Sequence, residues 1–133
     1  MISSLLMLLA LSDAVQPKPF SNTDLRDISC VAVIGLVAHD QRNGTSSALR
    51  FPDYREMGQI WAGIVGNRVT EGTGQPREVV AAEIQSAVQR EQQLMAGQGV
   101  TAEMRKARVQ DCAVLMNQEL LDQPLPKPAR SSK

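Results

Sequence analysis

Apolar residues recur along the chain at intervals of three and four, and glycine and proline break them into four long segments. The first opens after Ser21, Asn22 and Thr23, each able to cap a helix. Asp24 and Asp27 follow in its first turn, where carboxylates suit the positive end of the helix dipole. Leu25, Ile28, Val31, Ala32, Val33, Ile34, Leu36, Val37 and Ala38 come next, and Asn43-Gly44 is a good C-terminal stop. The β-branched run "CVAVIGLVA" also fits a strand. The capping signals and the lack of partner strands elsewhere favour a helix buried on most faces.

The second segment runs from Asp53 to about Thr70, with Pro52 suited to its first turn. Tyr54, Met57, Trp61, Ile64 and Val65 have helical spacing, and Gly58, Ala62 and Gly66 form a strip of small residues that lets a neighbouring helix approach closely. Pro76 starts a third helix that runs to about Ala96, with Val80, Ile84, Ala87, Val88 and Leu94 on one face and Glu83, Gln85, Gln89, Arg90 and Gln92 on the other. Thr101 caps a fourth, which carries Val109, Cys112, Ala113, Met116 and Leu120 at core spacing and ends near Asp122. The pattern predicts an all-α fold, a small up-and-down bundle of about four helices over residues 21–122.

The two ends read differently. Leu5 to Leu11 is an unbroken apolar run of seven residues, followed by Ser12-Asp13-Ala14. About ten apolar residues make a helix of only ~15 Å, too short to cross a bilayer. With small residues at both positions that matter for cleavage, residues 1–14 read as a signal peptide cut after Ala14, despite the absence of Lys or Arg before Leu5. The competing readings are an amphipathic or buried first helix of a cytoplasmic protein and a retained N-terminal anchor. Residues 15–20 form an extended leader holding Pro17 and Pro19, and residues 123–133 a proline-rich tail expected to be disordered.

Composition narrows the options. Hydrophobic residues make up 43% and charged residues 21%, as in a globular protein. Only Phe20, Phe51, Tyr54 and Trp61 are aromatic, so the core is mainly aliphatic. Fourteen basic and fourteen acidic residues cancel, which leaves no global field to attract nucleic acid. The small positive cluster of Arg105, Lys106 and Arg108 has no interleaved aromatic residues.

Cys30 and Cys112 lie on apolar faces of the first and last long helices. In an exported protein such a pair is most simply a disulfide. Two buried free thiols, or a reactive or metal-binding pair, are the alternatives. His39, the only histidine, follows Cys30 by nine residues, or ~13 Å of helical rise, and cannot activate it within one straight helix. His39 with Asp40 could do acid–base work, but a histidine near a helix C-terminus more often complements the dipole. No zinc-binding His-Glu-x-x-His and no phosphate-binding loop occurs. Asn43-Gly44-Thr45 matches a glycosylation sequon that matters only in a eukaryotic secretory pathway. No metal or cofactor is implied.

In organisation alone, the chain resembles small periplasmic helical proteins such as acid-activated chaperones and some type VI secretion immunity proteins. No motif accompanies that resemblance, so it carries no functional residue with it. The expectation is a periplasmic or secreted, non-enzymatic protein that binds or protects another protein. The alternatives are a subunit of an envelope complex docking through Tyr54, Trp61 and methionines, and a small enzyme using Cys30, Cys112 or His39 with Asp40.

Overall fold

The computed structural model describes residues 16–123 of the chain. The proposed signal peptide, and the tail beyond Gln123, lie outside the described residues. Four helices are present: α1 (Asn22–Arg42), α2 (Arg55–Thr73), α3 (Arg77–Ala96) and α4 (Ala102–Asp122), with one short 3-10 turn at Ala48–Arg50. Among the described residues there is no strand, and "CVAVIGLVA" is helical.

The reason lies in α1. Ser21 caps it through a reciprocal pair of bonds: its Oγ accepts from the Asp24 N–H, and the Asp24 carboxylate accepts from the Ser21 N–H, both at 3.0 Å. Cys30 to Ile34 are then buried at every position, covering more than a full turn. A helix that is apolar on all sides has to be enclosed. α1 accordingly packs against α2, α3 and α4, and is the centre of the bundle. Asp27 near its start binds Arg68 toward the end of α2, and Arg68 in turn binds Glu119 near the end of α4, so both of those helices run against α1.

Cys30 on α1 and Cys112 on α4 form a disulfide with their Cα atoms 5.0 Å apart and both side chains in the core. Closing a loop of 82 positions contributes roughly 4–5 kcal/mol in the chain-entropy account. That is a large share of the ~5–15 kcal/mol stability of a typical domain. The disulfide also implies folding in an oxidising compartment. No described helix is long and apolar enough to cross a membrane.

Several sequence expectations need correction. Asp27 is not in the first turn; it lies six positions after the cap and is buried in an ion cluster. Helix α2 begins at Arg55 rather than Asp53, because Gln41 holds the Pro52 carbonyl in the preceding loop. It runs past Thr70 to Thr73 and stops where Gly74 turns left-handed, at φ 70°. On α3 the core line continues through Glu91 and Met95, while Leu94, in the last turn and two turns beyond buried Ala87, is 59% exposed. Met57 on α2 likewise faces solvent.

Within the small-residue strip, a β-carbon on Gly58 would come within 3.0 Å of Ile34 Cγ2, so α1 and α2 approach closely there. Gly66 faces open space, and Ala62 is half-buried. The extended leader is anchored. Lys18 N–H donates to the Thr73 carbonyl at 2.7 Å, Gln75 Nε2 donates to the Lys18 carbonyl at 2.9 Å, and Phe20 packs on the core.

Two stability predictions follow from this geometry. Cys112→Ser should lower the unfolding free energy in urea titration by about 2–5 kcal/mol. Gly66→Ala, in a mid-helix site with room for a methyl group, should raise it by about 0.5–1 kcal/mol, a gain that Gly58→Ala forfeits against Ile34.

Candidate functional site

One buried polar side chain shapes a recess on one side of the bundle. Gln41 continues the core line of α1 past Val37 and Ala38, so its amide is carried into the interior and has to be satisfied there. Its Nε2 donates to the carbonyls of Ala48 and Pro52 at 3.1 and 2.8 Å, and its Oε1 accepts from the Tyr54 N–H at 3.0 Å. These three bonds fix the loop between α1 and α2, and with it one wall of a groove of about 630 Å³.

Ala48, Phe51 and Tyr54 line that wall, Val37 lies at its base, and Met95 of α3 closes one end. The facing wall is α4, from Ala102 to Asn117, with Val109, Ala113 and Val114 among its lining residues. Fifteen residue steps at ~1.5 Å give the trough a length of roughly 22 Å. Asp40, Arg50, Glu103, Arg105 and Lys106 supply its charged groups. Arg105 Nη1 also donates to the carbonyls of Met95 and Val100 at the end of α3, at 3.4 and 3.2 Å.

Tyr54 lines this groove although only 4% of its surface is exposed. Its hydroxyl has no hydrogen-bond partner among the described residues, and burial pushes the phenol above its usual range.

A second feature sits at the opposite end of the bundle. Arg68 of α2 donates through Nε to Glu119 Oε2 at 2.8 Å and through Nη2 to Glu119 Oε1 at 3.1 Å and Asp27 Oδ2 at 3.0 Å. Trp61 Nε1 donates to the same Glu119 at 2.8 Å, and Arg26 donates to Asp27 at 2.9 Å. The cluster therefore joins α1, α2 and α4, and its carboxylates are paired, as partly buried charges must be. Partial burial raises the pKa of Glu119, but the Arg68 and Trp61 bonds outweigh it and hold the carboxyl below its ordinary range. A recess of about 350 Å³ lies beside the cluster.

The sequence-predicted residues are distributed between these features. Cys30 and Cys112 come together in the core. Tyr54 and Trp61 do not form an exposed interface: Trp61 is 1% exposed, packed beneath α4 with its indole N–H on Glu119, and Tyr54 reaches solvent only through the groove. In a core with so few aromatic side chains, the strip of α2 facing α1 takes up both rings. His39 is exposed, with Nε2 3.1 Å from Asn43 Nδ2, while Asp40 joins the groove. The basic cluster is dispersed. Arg105 and Lys106 line the groove, and Arg108 pairs with buried Glu91 at 2.9 Å.

Sequence reasoning missed Gln41, Arg68, Glu91 and Glu119. The available signal was register: Gln41 and Glu91 stand on the core lines of their helices, and Glu119 sits beside Met116 and Leu120. A polar group at a core position calls for a buried partner. Among the described residues no group of three His, Cys, Asp or Glu is placed to hold a metal ion. Comparison with known proteins finds no matching family model, no similar curated protein and no similar solved structure.

The cluster has a pH signature. A carboxyl whose folded pKa is depressed contributes stability above its unfolded pKa, and that contribution is lost as pH falls through the folded value. Unfolding free energies measured from pH 7 down to pH 3 should fall with acid, and Glu119→Gln should flatten the fall. Trp61, the only tryptophan, reports the transition directly. Tyr54 is likewise the only tyrosine, so phenolate absorbance should show a single titration with its midpoint above 10.

Proposed function

We propose that the protein is an exported, non-enzymatic component of the bacterial envelope that binds or protects another protein, with the groove between α4 and the α1–α2 loop as its contact surface. The observation that carries this reading is the groove itself. It is an apolar trough about four turns long with a charged rim, built on rigid elements and held in shape by Gln41. Apolar concavities bordered by a few polar groups are where proteins take up ligands and partner segments.

Export is supported by the disulfide and by the signal-like residues 1–14. A non-catalytic role is supported by the side chains with most chemical capacity. Both cysteines are consumed in the cross-link, and His39 pairs with an asparagine at the exposed end of α1. A second reading, a subunit docked in an envelope complex, is favoured by Met57 and Ile60, which lie 40% and 49% exposed on one flank of α2.

Two measurements test the proposal. Protein recovered from its native envelope should begin at Val15 and gain mass on reduction and alkylation at two thiols. Immobilised protein should capture an envelope partner or suppress client aggregation, and Val114→Asp, at an exposed groove position, should abolish this without unfolding the chain. No capture and no protection by the native protein would end the proposal.

A further inference from the structure

The groove also indicates what kind of segment it takes. Resting on the binding role proposed above, we infer that its occupant is an amphipathic helix of about four turns with carboxylates beside its apolar face.

Three observations converge. The first is shape. The trough follows α4 from Ala102 to Asn117, and a partner helix lying along it would contact α4 on one side and the α1–α2 loop on the other, as in helix-in-groove recognition. Its base and walls offer Val37, Phe51, Val109 and Ala113 to apolar side chains spaced three and four apart.

The second is a hydroxyl that opens on the trough without a protein partner. The Tyr54 hydroxyl lies in a residue more than nine-tenths buried, lines the trough and has no partner among the described residues. An acceptor on the occupant satisfies it.

The third is charge. Arg50, Arg105 and Lys106 face Asp40 and Glu103, a surplus of one cation, and the trough begins at the positive end of α4. Thr101 satisfies only the Met104 N–H there, at 3.1 Å. A carboxylate seated at this end meets Lys106 and the helix terminus together. Glu103 stands in the same first turn, but Arg105, Lys106 and the helix terminus leave this end positive on balance, which favours acid there and sets the direction in which the occupant lies.

The test uses the full, disulfide-bonded chain and fluorescence anisotropy with two synthetic amphipathic helices of roughly fifteen residues. They share an apolar face, which is flanked by Glu in one and by Lys in the other. The acidic peptide should bind at least tenfold more tightly, and the preference should shrink as salt is added. Lys106→Glu should remove the preference. Tyr54→Phe, which keeps the ring, should weaken binding by about two- to tenfold while helicity and Trp61 fluorescence stay unchanged.

Equal binding of the two peptides overturns the charge assignment and leaves the binding role standing. Binding of neither, while Val114→Asp-sensitive capture of an envelope protein persists, overturns the helical occupant. Binding of neither peptide together with saturable binding of dodecanoate would make the trough a small-amphiphile site and overturn the inference. Failure of every probe and of capture removes the binding role as well.

Discussion

A turn of helix closed to water on every side governs this molecule. From Cys30 to Ile34 every side chain of α1 is buried, and so are Ile28, Val37 and Ala38. A single neighbour covers only a stripe of a helix, so the chain has to return three times to enclose it. This explains why α1 touches every other helix, and why the bundle has a centre rather than four equivalent corners. The disulfide reinforces the same constraint, because it joins the enclosed helix to the last one to cover it.

With so few aromatic side chains, the interior is aliphatic and thin, and buried polar groups settle details that packing leaves loose. Gln41 fixes the α1–α2 loop at one end of the bundle. Arg68 gathers Asp27 and Glu119 at the other, and Arg108 meets Glu91 between α3 and α4. Each has its partners within hydrogen-bonding distance, and among the described residues no fully enclosed side-chain nitrogen or oxygen is left without one. Such networks contribute less to net stability than to the choice of one arrangement among several that an aliphatic core would accept. The groove depends on this directly: its loop wall stands where the three bonds of Gln41 hold it.

Much of the fold was legible in the sequence, because helix periodicity and caps are local signals. Ser21 and Thr101 both act as caps, and the apolar spacing of α4 marks its core face correctly. The cystine was legible for the same reason: both sulfurs lay on apolar faces of long helices. The site was not. Its walls come from α4 and from a loop more than fifty positions away in sequence, and no local pattern brings Phe51 opposite Ala113. Trp61 and Tyr54 were misplaced because an aromatic ring at helical spacing reads the same on a core face and on an exposed one. Only the partner helix distinguishes them.

The position of the cross-link has one more consequence. All three connections between helices, at residues 43–54, 74–76 and 97–101, fall inside the stretch that Cys30 and Cys112 close. Exposed connections are where proteases cut. A nick in any of these three still leaves one covalently continuous molecule, with both fragments packed around α1. Wherever proteases reach those loops, that arrangement turns a break in the chain into a local injury instead of a separation of the two pieces.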